Sequence, residues 1–139
     1  MKKGRDVLSG YDASEGALYI LSAAVLILHP KSPRLLAIDN FDQALNPRLA
    51  TRLSTAFCNW VLAYKTGRQV LLTSHSPAVL DGLPLQDDRV RLFTVDRDNR
   101  GHTVVKRVEL SDDLVSKAKD GWTLSRLWVN GLIGGVPDV

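Results

Sequence analysis

Polar residues that could hold a metal ion or orient a water molecule follow two apolar segments of this chain. Asp39 and Asn40 come directly after "LLAI", and His75 follows "QVLLTS". Asp39 suits Mg²⁺, which keeps much of its hydration and takes few protein ligands. Asn40 can hydrogen-bond a water molecule but cannot accept its proton, and Asp42 is the nearest carboxylate that could act as a base. Simpler interpretations remain, because Asp39 could cap a loop and His75 could lie in the turn before Pro77.

A third group, Ser14-Glu15-Gly16, precedes a long apolar run. Ser14 suits the N-cap of a helix, and Glu15 would place an acid in its first turn. The backbone N–H groups at such a helix end also suit a phosphate, with the Ser14 hydroxyl beside them. Ordinary capping explains the three residues at least as well.

The elements that would position these groups alternate between strands and helices. The run "GALYILSAAVLIL" is apolar on all sides but too short to span a bilayer comfortably, so it predicts a central, buried helix. Residues 34–39 and 69–75 predict strands that are apolar on both faces, which is typical of a parallel sheet covered by helices. Because ligands bind beyond the carboxyl ends of such strands, we expect Asp39 and His75 to share one site.

A helix is predicted between the two strands. Asn46 and Pro47 supply its cap and its first turn, and Gly67 ends it. Its apolar residues recur at helical spacing: Leu49, Leu53, Phe57, Trp60, Val61 and Tyr64. Strand, helix and strand together predict a crossover unit of a parallel sheet.

The C-terminal third predicts a β-hairpin and a short helix. "RVRLFTVDR" and "HTVVKRVEL" flank the turn-rich "DNRG", in which Gly101 supplies unusual backbone angles. The tail "GWTLSRLWVNGLIGGV" predicts a short helix followed by a glycine-rich apolar end. We find no repeat or linker, and therefore expect a single domain over residues 1–139.

Composition limits the classes of partner. The 139 residues carry a net charge of +3 with scattered basic residues, which tolerates an anionic partner such as DNA without demonstrating one. Cys58 is the single cysteine, which excludes an internal disulfide and fits a reducing cytoplasm. "MKKGRDVLSGYD" has too little apolar sequence for a signal peptide, and no membrane segment is predicted.

The order and spacing of these groups resemble the C-terminal half of an ABC-type ATPase head. The best match is the AAA-labelled branch near the SMC, RecF and OLD-nuclease ATPases, many of which serve bacterial anti-phage defence. By this resemblance Ser14, Glu15 and Gly16 correspond to the signature motif, and residues 35–39 to the Walker B strand. "ALNP", residues 44–47, corresponds to the D-loop, and His75 to the switch histidine.

The resemblance implies an α/β fold of the P-loop NTPase type that binds ATP and Mg²⁺ as a head-to-tail dimer. Asp39 would position Mg²⁺, and Asn40 and His75 would orient the water and the γ-phosphate. Ser14, Glu15, Gly16 and the D-loop residue Asn46 would contact the nucleotide across the dimer. The implied partners are the N-terminal ATPase half, another copy of the ATPase, and an effector such as a nuclease.

Two features depart from the family pattern. The sequence contains no G-x-x-x-x-G-K-[ST] phosphate loop, since the glycines at 131, 134 and 135 lack the lysine. We therefore expect a fragment, a split protein or a truncated gene product whose ATP binding requires the missing half, and whose uncovered apolar surface favours self-association.

The second departure is Asn40, which stands where a catalytic glutamate is usual. A general-base contribution of typically ~10²–10⁴-fold is then lost or has moved, with Asp42 as the nearest substitute. Phosphoryl transfer relies mainly on positioning and charge stabilisation, so slow or switch-like ATP hydrolysis is compatible with the absence of this glutamate. The alternative is a non-catalytic interaction module that kept this fold.

Overall fold

The computed structural model describes residue 10 and residues 13–63, 67–109 and 122–133. The described part contains four helices and four strands. In chain order they are α1 (Glu15–Leu28), β1 (Leu35–Ile38), α2 (Pro47–Ala63), β2 (Gln69–Leu72), α3 (Pro77–Leu80), β3 (Leu92–Arg97), β4 (Thr103–Val108) and α4 (Leu124–Val129).

Helix α1 begins and ends as its sequence predicts. The Ser14 hydroxyl accepts a hydrogen bond from the backbone N–H of Ala17 at 3.2 Å, which confirms Ser14 as the N-cap. At the other end, the Arg68 guanidinium donates to the carbonyl of Ile27 and, at 2.9 Å, to that of His29. A cation at this end also stabilises the negative pole of the helix.

Helix α2 starts where Asn46 and Pro47 predict. The Asn46 side-chain oxygen accepts from the backbone N–H of Leu49 at 3.0 Å, and Pro47 is the first helical residue. The helix is described as far as Ala63, and the predicted apolar position 64 lies outside the described residues. Gly67 has a positive φ of +65°, a conformation that suits glycine, and residues 64–66 before it lie outside the described part of the chain.

The two strands after α1 and α2 pair in parallel, which confirms the strand, helix, strand unit. Leu35 lies opposite Gln69, and Ile38 lies opposite Leu72. Alternate residues of both strands face the main core, whose fully buried members come from α1, α2, α3 and the loop after β1: Ala23, Ile27, Phe41, Ala50, Leu53, Phe57 and Val79. The rings of Phe41 and Phe57 meet edge to face with their centroids 5.1 Å apart.

Two burial predictions are wrong for the described residues. The other face of the strand pair is uncovered, since Leu35 and Leu71 are 67% and 62% exposed. Helix α1 buries Ala23 and Ile27, whereas five large apolar residues of the helix are exposed: Leu18, Leu21, Val25, Leu26 and Leu28. Residues of α1, α2 and α3 form the core against one face of the strand pair, so α1 is an outer helix and not a central one.

Hydroxyl groups on α2 hold the short helix α3 in place. Thr51 donates to the carbonyl of Ala78 at 2.7 Å, Ser54 to that of Val79 at 3.0 Å, and Thr55 to that of Gly82 at 3.0 Å. The carbonyls of Ala78 and Val79 in α3 and of Gly82 just after it thereby each accept a hydrogen bond from an α2 side chain. Three α2 positions at helical spacing therefore form a polar seam beside the core.

The tail helix α4 docks onto the end of α3. The Asp81 carboxylate accepts from the backbone N–H of Ser125 at 2.9 Å and from the Ser125 hydroxyl at 2.7 Å. Leu127, on the same helix, is buried. The short helix predicted in the tail is confirmed, while the glycine-rich end after residue 133 lies outside the described residues.

The predicted hairpin is confirmed. Strands β3 and β4 pair antiparallel, with Leu92 opposite Val108, and Gly101 in the turn has φ +80°. The Asp98 side chain accepts from the backbone N–H groups of Arg100 and His102, both at 2.8 Å. These bonds, led by that of His102, lower the pKa of the Asp98 carboxyl.

The described architecture is mixed α/β, although the sheet is smaller than the predicted, mainly parallel one. Strands β1 and β2 form a parallel pair, and strands β3 and β4 form a separate antiparallel pair.

Cys58 is a buried free thiol whose pKa is raised by desolvation, so it remains protonated near neutral pH. Within the described ranges, every helix is too short or too polar to cross a bilayer.

Candidate functional site

The loops that follow β1 and β2 are hydrogen-bonded to each other through Thr73. Its hydroxyl donates to the Asp39 carboxylate and accepts from the backbone N–H of Asn40 at 3.0 Å. Its carbonyl accepts from the N–H of Phe41 at 2.8 Å, and its own N–H donates to the carbonyl of Ile38 at 3.0 Å. The structure therefore brings the Asp39 and His75 groups to the same edge of the strand pair.

Asp42 makes a second connection between the two loops. One of its carboxylate oxygens accepts from the Ser74 hydroxyl at 2.6 Å and from the backbone N–H of His75 at 3.3 Å. Among the described residues, its other oxygen has no hydrogen-bond partner. Asp42 can therefore fix the position of the His75 backbone while one carboxylate oxygen stays available to a water molecule.

Asn40 adopts a left-handed backbone conformation, with φ +51°. Asparagine tolerates this conformation better than other residues with a side chain, because its short amide can bond locally. The backbone gives Asn40 a structural role that the sequence pattern does not predict. That role is independent of any contribution its exposed amide makes to orienting water.

Gly16 permits the start of α1 to lie against the loop after β1. A Cβ atom added to Gly16 would come within 2.8 Å of the Ala44 carbonyl oxygen, which is closer than such atoms approach in practice. Ala44 itself has φ +61°, a strained value for a residue with a Cβ atom. The predicted signature and D-loop segments are thus in direct backbone contact within one chain.

The remaining predicted site residues lie around this edge, and two of them already have capping roles. Ser14 caps α1 and Asn46 caps α2, so each side-chain oxygen accepts a backbone hydrogen bond. Glu15 is exposed in the first turn of α1. The imidazole of His75 is exposed, and its ring nitrogens are without a hydrogen-bond partner among the described residues.

Sequence reasoning did not assign roles to several residues that build this site. Thr73 and Ser74 supply the hydroxyl groups that join the loops. The sequence feature that could have indicated them is the polar run "TSHS", which follows an apolar strand. Tyr19, one turn into α1, has a hydroxyl that is shielded from solvent and makes no hydrogen bond with any described residue. Burial raises the pKa of this hydroxyl, and the charge of Asp42 raises it further.

The unpartnered hydroxyl of Tyr19 predicts that Tyr19→Phe raises the free energy of unfolding by about 1 kcal/mol, because a buried group without a hydrogen bond carries an uncompensated desolvation cost. Urea denaturation followed by circular dichroism measures this change. Ser22→Ala on the same helix is the matched control, since it removes an exposed hydroxyl that donates to the Tyr19 carbonyl at 2.8 Å. A loss of stability in Tyr19→Phe would mean that the hydroxyl does have a partner.

The site offers limited metal-binding capacity by itself. In the described ranges, no cluster of three or more His, Cys, Asp or Glu residues could enclose a metal ion. Asp39 is a single exposed carboxylate beside the Thr73 hydroxyl. This donor set fits Mg²⁺ held largely by water and substrate phosphates, and does not fit an ion enclosed by protein ligands.

Residues 2–81 match the family model described as "AAA domain, putative AbiEii toxin, Type IV TA system". The matched region covers more than half of the chain and contains α1, β1, α2, β2, α3 and the strand-end loops. The chain therefore belongs to this AAA domain family, which confirms the AAA part of the resemblance drawn from its motifs. The search of curated proteins returned no match.

Proposed function

We propose that this chain is the C-terminal half of an ABC/SMC-like ATPase head that binds ATP and Mg²⁺ together with a phosphate-loop half. The observation that carries this proposal is the pair of strand-end loops joined through Thr73, with Asp39, Asn40 and His75 at one edge. Such an edge is where open α/β sheets bind ligands. The family match supports the ATPase class.

The residues of this edge have separate roles in the proposed reaction. Asp39 would hold Mg²⁺, which would supply charge stabilisation to the phosphates. His75 donates to the terminal phosphate from the loop that Asp42 fixes. The exposed Asn40 amide orients the attacking water, and hydrolysis without a glutamate there is slow or switch-like.

Ser14, Glu15, Gly16 and Asn46 complete the proposed site across a head-to-tail dimer. Their position supports this role, since Gly16 lies against the Ala44 segment and joins the start of α1 to the loop that carries Asn46. A nuclease or another effector would respond to opening and closing of the dimer, in phage defence or DNA repair. Cytoplasmic location follows from the same proposal.

The alternative function is a non-catalytic interaction module. The sequence lacks a phosphate-loop lysine, and the left-handed backbone at position 40 explains an asparagine there without catalysis. Both observations favour a chain that kept the fold but does not hydrolyse ATP. The two proposals differ in whether ATP binds once a phosphate-loop half is supplied.

Isothermal titration with Mg-ATP separates them. The isolated chain is expected to show no dissociation constant in the micromolar range, because its residues reach only the metal, the γ-phosphate and a partner's nucleotide. Mixing with a polypeptide that carries the phosphate loop, encoded upstream or in a neighbouring gene, is expected to create a micromolar site that Asp39→Ala weakens. Micromolar binding of ATP by the chain alone would contradict the proposal that the ATP site needs residues from both halves. If the mixture does not bind ATP, the interaction module is favoured.

A further inference from the structure

One face of the β3–β4 hairpin is both apolar and basic, and it is open to solvent. The strand register places Phe93 opposite Arg107 and Val95 opposite Val105 on this face, with Arg97 at the far end. Phe93 is 49% exposed, and the two valines are each 61% exposed. We call this surface the hairpin face, formed by Phe93, Val95, Arg97, Thr103, Val105 and Arg107.

The opposite face of the hairpin is the better covered one. Thr94 is buried there, and Leu92, Val104 and Val108 are partly buried. A hairpin that served only to cover its neighbours would turn its aromatic and valine side chains inward and its arginines outward. Here one aromatic ring, two valines and both arginines of the paired strands share the exposed side, which indicates a surface that binds a partner.

The positive charges on the hairpin face indicate a negatively charged ligand. Within the paired strands, both arginines lie on this face, and the acidic residue Asp96 lies on the other. Arg97 and Arg107 have no hydrogen bond or ion pair with any described residue. They bracket the apolar patch at a separation of about 13 Å along the strands, since Arg107 faces Phe93 four residues from Arg97. A complementary ligand carries negative charges on both sides of a flat apolar group.

We propose that the hairpin face binds single-stranded nucleic acid, with a base against Phe93 and phosphates on Arg97 and Arg107. Guanidinium groups bind phosphates through paired hydrogen bonds and also stack on planar rings. An exposed aromatic ring beside such cations is the usual arrangement for unpaired bases. A duplex keeps its base faces stacked inside, so it offers Phe93 no comparable surface. The proposal does not depend on the ATPase assignment, because the hairpin lies outside residues 2–81.

Fluorescence anisotropy of labelled oligo-dT with the full 139-residue chain tests the proposal. At low salt, Phe93→Ala, Arg97→Ala and Arg107→Ala are each expected to weaken binding about tenfold. Each arginine replacement is also expected to lower the slope of log K against log salt by about 0.7. Arg107→Lys keeps the charge but loses the planar group, so an intermediate loss is expected.

Lys106→Ala is the matched control, because Lys106 is the exposed neighbour of Arg107 and points to the other face. It removes the same charge and is expected to change binding less than twofold. Circular dichroism checks that each variant folds, and Phe93→Leu, which keeps an apolar side chain without a ring, replaces Phe93→Ala if that variant does not fold.

Four results with nucleic acid, and one with other ligands, would overturn the proposal. The first is an equal loss of oligo-dT affinity in Lys106→Ala and Arg107→Ala, and the second is no loss of affinity in Phe93→Ala or Phe93→Leu. The third is an affinity for duplex DNA equal to that for oligo-dT. The fourth is no binding to oligo-dT at about 100 µM protein, where even weak non-specific nucleic-acid binding is detectable. Binding to phosphatidylserine vesicles or poly-glutamate in place of oligo-dT would assign the hairpin face to another partner and would likewise overturn it.

Discussion

Replacing Asn40 by glutamate is expected to raise the turnover number of the proposed ATPase assembly by roughly 10²-fold or more, because a carboxylate can accept the proton of the attacking water. ATP affinity is expected to stay nearly unchanged. Asp39→Ala is expected to lower turnover and also to weaken Mg-ATP binding, since it removes the group that positions the metal. Steady-state phosphate release and isothermal titration on the chain combined with its phosphate-loop half measure both effects.

Asn40→Gln is the control that isolates the carboxylate. Glutamine and glutamate have the same shape, and at φ +51° both are expected to cost about 1 kcal/mol of stability more than asparagine. An equal gain in turnover from both variants would assign the effect to side-chain length. If Asn40→Glu has no effect and Asp42→Ala abolishes turnover, Asp42 is the base. If none of these substitutions matters in an active assembly, the match of residues 35–47 to a Walker B strand and D-loop fails.

Gly82→Ala is expected to lower the free energy of unfolding by about 3 kcal/mol or more, through steric overlap. An added Cβ atom would lie 2.3 Å from the Thr51 carbonyl oxygen and 2.8 Å from the Ser54 Cβ atom. Neither neighbour can rotate away, because one is backbone and the other is fixed to it. Relief of the overlap would separate α3 from α2 and break the hydroxyl bonds between them. Urea denaturation monitored by circular dichroism measures the loss.

Gly10→Ala is the matched control for this substitution. An added Cβ atom at Gly10 would meet nothing within 4 Å, so the change in stability is expected to stay within about 0.5 kcal/mol. A Gly82→Ala variant with the denaturation midpoint of the unmodified chain would contradict the close packing of α3 on α2.

The features that sequence predicted well depend on neighbours along the chain. Ser14 and Asn46 cap their helices through residues three positions away, and Gly101 adopts the left-handed turn that its surroundings require. The parallel pairing of β1 and β2 followed from the connection through α2, because two adjacent strands joined by a helix run in the same direction.

The features that sequence missed depend on distant neighbours or on what covers a surface. An apolar pattern identifies Leu35 and Leu71 as hydrophobic, but it cannot say that their face of the strand pair has no described helix over it. The hydroxyl of Thr73 has many potential partners until the strand register brings it to Asp39. The left-handed backbone of Asn40 likewise arises from a loop held at both ends.

The contacts that build the candidate site also have a consequence for the order of folding events. Thr73 and Asp39 are 34 residues apart, and Ser74 and Asp42 are 32 residues apart. Closing so long a loop costs entropy before any of these bonds forms, whereas the helical turns of α1 and α2 need only local contacts. We therefore expect the helices to appear early and the site to mature last. A chain still being synthesised cannot acquire this site until residues 69–75 are free to pair with the first strand and contact the loop that follows it.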